Sequence, residues 1–206
     1  MKKICITGGI ACGKSLVGAY LREAGMSVID ADDVCHELMR GGPLAEKIAA
    51  AFGRKVLDSS GGIDRRELGR LVFAEEPMRR RLNAIVHPEA RAAIGLWLKA
   101  LESACGRRGA APKVAAALVP LVFEAGWEGD WDAIVCVAAP HSIQIERLKR
   151  KGLSRKDAAA RVAAQMPLSE KMSRSDYVIF NAGPIAGLKS QAALVFRSVK
   201  QDALRD

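Results

Sequence analysis

Near the start of the chain, Gly8-Gly9-Ile10-Ala11-Cys12-Gly13-Lys14-Ser15 matches G-x-x-x-x-G-K-[ST]. Glycines let a backbone wrap around phosphate oxygens with its N–H groups turned inward, and a helix that follows adds its positive N-terminal end. In such a loop Lys14 would bridge the β- and γ-phosphates of a nucleoside triphosphate, and the Ser15 hydroxyl would hold Mg²⁺. The glycines do not space as G-x-G-x-x-G, which disfavours a dinucleotide fold. A second group follows Val28-Ile29, namely Asp30, Asp32 and Asp33. A carboxylate across from a γ-phosphate can receive the proton of an acceptor hydroxyl, which makes Asp32 the candidate base or ligand of a Mg²⁺-bound water. If the strand runs on to Asp32, alternation points Asp30 and Asp32 to one side. The alternatives are that Asp32 or Asp33 caps a helix beginning at Val34, and that Asp30 orients Mg²⁺-bound water.

These residues need elements to hold them. Apolar runs rich in β-branched residues, each followed by a helical pattern, recur at Ile4–Thr7, Val28–Ala31, Val114–Phe123, Ile134–Ala138 and Tyr177–Asn181. Alternating β and α predicts an α/β fold, a parallel five-stranded sheet covered by helices on both faces. The carboxyl ends of neighbouring strands in such a sheet line the ligand crevice, so Lys14 and Asp32 can face one substrate. Residues 61–112 read as a helical insertion: Asp64-x-x-Glu67 forms a capping-box pattern, Pro77 and Pro88 suit the first turns of two helices, and Gly106–Pro112 reads as an exposed return to the third strand. Residues 145–174 hold nine Lys or Arg against three acids, a net +6 within a chain of +9. There Ser154-x-x-Asp157 caps a helix and Pro167 ends it or starts the next, which predicts a basic helical lid. The expected organisation is one domain with its core at 1–60, 113–144 and 175–206, the insertion at about 61–112 and the lid at about 145–174.

A chain of 206 residues, half of them hydrophobic, suits one such domain and argues against wholesale disorder. The ten-residue apolar stretch Val114–Phe123 is half of what a membrane span needs. Met1-Lys2-Lys3 before Ile4-Cys5-Ile6 faintly imitates a signal peptide, but Gly8, Gly9, Gly13 and Lys14 interrupt any apolar core, so a cytoplasmic protein without a membrane partner is expected. Five cysteines without a Cys-x-x-Cys pair predict neither a disulfide framework nor a zinc site. The positive balance points to acidic partners, but the basic segment lacks interleaved aromatics, which argues against a nucleic-acid platform.

Among phosphate-loop proteins, the N-K-x-D of a GTPase is missing, and Asp58-Ser59-Ser60-Gly61 sits in a turn-like stretch with no strand before it. Val119-Pro120-Leu121-Val122-Phe123-Glu124 lacks the Asp-Glu pair of a motor or helicase. A small-molecule kinase remains.

At this point the chain resembles the dephospho-CoA kinase family over nearly its whole length. The resemblance rests on Ile6-Thr7-Gly8-Gly9-Ile10 with Gly13-Lys14-Ser15, Val28-Ile29-Asp30-Ala31-Asp32, Gly62-Ile63-Asp64-Arg65, Leu82-Asn83-Ala84-Ile85-Val86-His87-Pro88, Val119–Glu124, Arg161-Val162-Ala163-Ala164-Gln165 and Val178-Ile179-Phe180-Asn181-Ala182-Gly183. It implies a P-loop kinase core with a helical substrate region and basic lid, and ATP-dependent phosphorylation of the ribose 3′-hydroxyl of dephospho-CoA. By the family pattern Asp32 is the base, Arg147 and Arg150 reach the ATP phosphates, Gly8 through Leu16 hold the nucleotide, and Asn181 with Gly183 lies beside its base. Leu16 stands where Thr often follows the motif serine, and Phe180 replaces a common Asp.

Arg65 and His87 are candidates for contacting the substrate. Against this, the arginines at 65, 66 and 79–81 also suit a solvated helix face, and His87 suits a helix end. Trp97 and Leu98 share helical spacing with Ile94 and Leu101 and read as core. Glu124 would organise Mg²⁺-bound water or a lid arginine. Cys12, beside Lys14 and a helix N-terminus, would have its thiolate favoured and be open to modification, unless it only fills the loop.

Overall fold

The computed structural model describes residues 1–73, 75–105 and 114–202. The expected return loop at Gly106–Pro112 lies outside them. Five strands, β1 (Lys2–Gly8), β2 (Ser27–Asp30), β3 (Val114–Leu118), β4 (Ala133–Ala138) and β5 (Tyr177–Phe180), make one sheet in the order β2-β3-β1-β4-β5, with every pairing parallel. β1 is the middle strand, with Ile4 opposite Ala116 of β3 and Ala133 of β4. β3 and β4 are buried at every position, so they read as unbroken apolar runs where a half-exposed strand would alternate.

Parallel strands need crossovers, and three helices packed with the sheet are α1 (Lys14–Glu23), after β1, α6 (His141–Arg150), after β4, and α9 (Ile185–Asp202), after β5. On α9, Leu188, Ala192, Phe196 and Val199 recur at helical spacing and bury against Ile4, Ile6, Val17, Leu21, Val135 and Val137. Burying each of the larger side chains is worth about 1.5–3 kcal/mol, which holds α1 and α9 in place beside the sheet. These elements belong to a compact unit of Met1–Asp30 and Ala100–Asp206.

The third strand stops at Leu118, short of the expected Phe123. Pro120 has no N–H for a ladder, and the chain turns there, with Ala125 N donating to Leu121 O and Trp127 N to Val122 O.

The other compact unit is Ala31–Lys99. It contains α2 (Ala31–Leu38), α3 (Pro43–Phe52), α4 (Arg65–Phe73) and most of α5 (Glu76–Cys105). Its own core joins Leu44, Ala45, Ile48 and Ala49 of α3 to Val56, Ile63, Leu68, Val72 and Val86. Because α3 and the 54–63 segment share that core, this compact unit begins at Ala31, upstream of the position near 61 read from the helix signals. The capping pattern is realised in part: Asp64 Oδ1 accepts from the N–H groups of Arg66 (2.8 Å) and Glu67 (3.1 Å) at the start of α4.

The two helices expected from Pro77 and Pro88 are one. Pro77 sits in the first turn of α5, but α5 runs on through Pro88. An interior proline costs about 3 kcal/mol, and here Val86, Ala90, Ile94 and Leu98 are buried on one face on both sides of it. That stripe outweighs the missing hydrogen bond.

In the 145–174 segment, α7 (Arg155–Ala163) starts at Ser154, whose hydroxyl accepts from Asp157 N at 3.1 Å, and α8 (Leu168–Ser173) starts after Pro167. Ile145, Leu148 and Ala158 form a small core against which Ile10 and Ala11 pack. Among the described residues no helix is long and apolar enough to cross a membrane.

Candidate active site

β1 ends at Gly8, the loop turns through Gly9–Gly13, and α1 begins at Lys14. Two of the glycines are sterically required. Gly8 has φ +137° and a Cβ there would lie 2.0 Å from Val137 O; Gly13 has φ +105° and a Cβ would lie 2.3 Å from Asn181 Nδ2. Ala11 adopts φ 59°, the left-handed region, although it carries a Cβ. That conformation costs about 1–2 kcal/mol and persists only where surroundings enforce it.

The enforcing contacts come from distant parts of the chain. Arg147 on α6 donates from Nη1 to Ala11 O (3.0 Å) and Cys12 O (3.4 Å), and from Nη2 to Asn181 O (3.1 Å). Asn181, buried just past β5, donates from Nδ2 to Cys12 O at 2.8 Å, while its own N–H donates to Ala138 O at 2.7 Å. Gln165, after α7, accepts from Ile10 N at 2.8 Å. Lys14 Nζ folds back to Gly8 O (2.9 Å) and Gly9 O (3.1 Å).

A trans peptide points its C=O and N–H in opposite directions. With Cys12 O held by Asn181 and Arg147, the Gly13 N–H is aimed away from them. It joins the N-terminal end of α1, where no side chain caps at Gly13. Such a cluster of N–H groups at a helix N-terminus, beside a lysine ammonium, is a built site for phosphate.

The other expected residues are placed as follows. Ser15 is exposed in the first turn of α1, and Leu16 beside it is 48% exposed. Arg150 is exposed at the end of α6, and Gly183 is exposed two residues past Asn181. β2 ends at Asp30, so the alternation that would align Asp30 with Asp32 does not operate; Asp32 instead lies with Asp33 in the first turn of α2, both exposed. A carboxylate there is favoured by the helix dipole. Arg65 opens α4 and is exposed. His87 is half-buried inside α5 and not at a helix end, because α5 continues through Pro88.

Cys12 is fully buried, and burial raises its thiol's pKa against the lowering influence of Lys14 and Arg147. The favoured thiolate expected from its position next to a helix N-terminus is therefore overturned: desolvation dominates, and Cys12 fills the loop. Glu124 is held in an ion pair. It lies beyond β3 and pairs with the buried ammonium of Lys171 on α8, Nζ to Oε1 at 2.7 Å.

Sequence reasoning missed Gln165 and Lys171 as supports of the site. Gln165 carries no signal beyond its place in the Arg161–Gln165 motif, and nothing in a lone lysine within a basic segment signals complete burial. The turn at 58–61 is as read: Asp58 Oδ1 accepts from Ser60 N (2.8 Å), Ser60 Oγ (2.6 Å) and Gly62 N (3.0 Å), which holds its carboxyl below the usual range.

The family model described as Dephospho-CoA kinase matches residues 3–187. The chain belongs to the dephospho-CoA kinase family. The dephospho-CoA kinase of Symbiobacterium thermophilum is 43% identical over 200 residues, 96% of this chain and 81% of that one. That of Geobacillus kaustophilus is 44% identical over 182 residues, 87% of this chain and 88% of its own. Among solved structures, TT1252 from Thermus thermophilus superposes with a TM-score of 0.78 at 35% identity, covering 96% of each chain. Like other dephospho-CoA kinases, the chain is a P-loop kinase.

Proposed function

We infer that this chain transfers the γ-phosphoryl group of ATP to the ribose 3′-hydroxyl of dephospho-CoA, giving CoA and ADP, the last step of CoA biosynthesis. Membership of the dephospho-CoA kinase family supports the substrate pair, and the formed phosphate loop at Gly8–Ser15 is the structural observation that carries the reaction class.

Phosphoryl transfer asks little covalent chemistry of a protein; alignment and charge neutralisation dominate. The Gly13 and α1 N–H groups receive phosphate oxygens, and Lys14 exchanges its two carbonyl partners for the β- and γ-phosphates. Asp32 takes the proton of the attacking 3′-oxygen as the O–P bond forms and the bond to ADP breaks. The Ser15 hydroxyl is a hard oxygen donor of the kind Mg²⁺ accepts, so the residues present fit that ion. When bound, Mg²⁺ supplies neutralisation of the charge shared between β- and γ-phosphate oxygens. Arg147 serves first by holding the loop carbonyls, and Arg150 approaches the nucleotide from the 145–174 lid, which excludes water on closing. Asn181 and Gly183 border the nucleotide base. Arg65 and His87 contact dephospho-CoA within the Ala31–Lys99 unit.

The test is a coupled ADP-release assay with ATP, Mg²⁺ and dephospho-CoA, an acceptor-free control and a product mass. Acceptor-dependent ADP with a one-phosphate mass gain supports the reading. A folded, ATP-binding protein that releases no acceptor-dependent ADP overturns the substrate assignment and leaves the kinase core.

A further inference from the structure

Lys171 is the largest fully buried side chain of the chain's described residues, and it carries a charge. It sits on α8, inside the basic segment whose other described cations are at least partly solvated. Burying an ammonium is tolerated only with close partners. Lys171 has two: Glu124 Oε1 at 2.7 Å and Pro120 O at 2.8 Å, both from the turn after β3. Pro120 O also accepts from the buried Thr7 hydroxyl of β1 at 3.3 Å, one residue before the phosphate loop.

The same carboxylate oxygen has a further task. Glu124 Oε1 accepts from Met166 N at 3.1 Å. Met166 follows Gln165, whose Oε1 accepts from Ile10 N at 2.8 Å in the phosphate loop. The path Lys171–Glu124–Met166–Gln165–Ile10 is therefore continuous. Each link is an ion pair, a hydrogen bond or one peptide unit.

We propose that Glu124, neutralised by the buried Lys171, is a positioning residue for the triphosphate site: it holds the Gln165–Met166 peptide so that Gln165 clamps Ile10 N and keeps the loop in its phosphate-receiving shape. The loop needs such a clamp, because Ala11, the residue after Ile10, holds a left-handed conformation that its side chain disfavours. Arg147 and Asn181 secure the carbonyls at residues 11 and 12. Gln165 is the counterpart on the N-terminal side, and the Glu124–Lys171 pair determines where Gln165 stands. The pair also ties the C-terminal end of the 145–174 segment to the turn after β3. This inference rests on reading Gly8–Ser15 as the ATP phosphate site and is independent of the acceptor.

Removing one partner of a buried pair strands the other charge and risks unfolding, whereas replacing both with apolar residues of similar size is often neutral for stability. The informative variants are the double Glu124→Leu/Lys171→Met, the single Gln165→Leu, and the triple combination, each checked for a native circular-dichroism spectrum and melting transition. ATP affinity is measured by titration calorimetry with Mg²⁺ and without acceptor, and KM for dephospho-CoA is measured separately. The double and the single variants each weaken ATP binding about tenfold, the scale of one hydrogen bond involving a charged or strained partner. The triple variant is no weaker than either, because the effects run along one path. KM for dephospho-CoA stays within about twofold of the parent. A folded double variant with parental ATP affinity overturns the proposal, and so does a triple variant whose loss is the product of the two, about a hundredfold. If the double variant does not fold, Gln165→Leu alone decides the clamp on which the path ends: a folded Gln165→Leu protein with parental ATP affinity overturns the proposal. A parent protein that binds no ATP at all would instead overturn the phosphate-site reading itself.

Discussion

The phosphate loop and the Ala31–Lys99 unit handle polar groups in opposite ways. In the loop, main-chain groups form the site, and side chains from three remote elements, Arg147, Gln165 and Asn181, hold those groups from behind. In the Ala31–Lys99 unit the apolar side chains close their own core, while Arg65 and Asp32 stand exposed on first helical turns. The difference teaches where rigidity is invested. A triphosphate is the same in every reaction of this kind and rewards a preformed cradle, whereas exposed side chains on helix surfaces rearrange at low cost, which suits the acceptor contacts proposed for them.

The sharpest way to break this contrast is Asp32→Asn. Transfer should fall by about 10²–10⁴, the range for a lost proton acceptor, while ATP affinity measured by calorimetry changes little. Loss of the native fold in this variant would mean that the carboxylate serves the first turn of α2 and not the chemistry. Lys14→Ala should lower turnover by at least about 100-fold in the ADP-release assay, the scale of a lost charge stabiliser, with ATP affinity also reduced. Near-normal turnover would remove Lys14 from the site.

Arg147→Met tests the support of the cradle. It removes two hydrogen bonds to loop carbonyls and one to Asn181 O and should weaken ATP binding about tenfold, as expected for a charge-assisted hydrogen bond; KM for dephospho-CoA should barely move. Arg65→Ala is its converse, raising KM for dephospho-CoA about twofold to fivefold with ATP affinity unchanged, a range typical of one exposed charge contact. A shift of both constants in either variant would blur the division between the two regions.

The smallest effect concerns the thiols. Cys5, Cys12 and Cys136 are buried and Cys35 is only partly so. Burial, assisted by the neighbouring Cys12, pushes the Cys136 thiol up from 9.0 to about 11, and burial raises Cys12 and Cys5 as well. The thiolate is the reactive form, so timed alkylation read by mass spectrometry should label Cys35 ahead of these three at neutral pH, with or without ATP. The same shifts carry a sign for stability. A raised thiol pKa favours the folded state below about pH 9, and that contribution is lost as pH rises from 9 toward 11 through the folded value for Cys136. The melting temperature should fall over that interval.

Much of this was legible before any coordinates. The glycines and lysine of the loop are local signals, since a strand, a tight turn and a helix start are each encoded within a few residues. The five apolar runs were legible because buried parallel strands are continuous hydrophobic stretches. What misled were signals whose outcome depends on distant packing. Pro88 reads as a helix start until the stripe Val86, Ala90, Ile94 and Leu98 is seen buried on both sides of it. Cys12 reads as activated by its helix N-terminus until its complete burial is known.

The sequence by itself determined the reaction class and the parts of the site that are contiguous in the chain, Gly8 to Ser15 and the acids after β2. Tertiary structure alone decided what holds that loop. Arg147, Asn181, Gln165, Glu124 and Lys171 are separated from it by more than a hundred residues, and a hydrogen bond depends on distance and angle in space, which spacing along a chain does not encode.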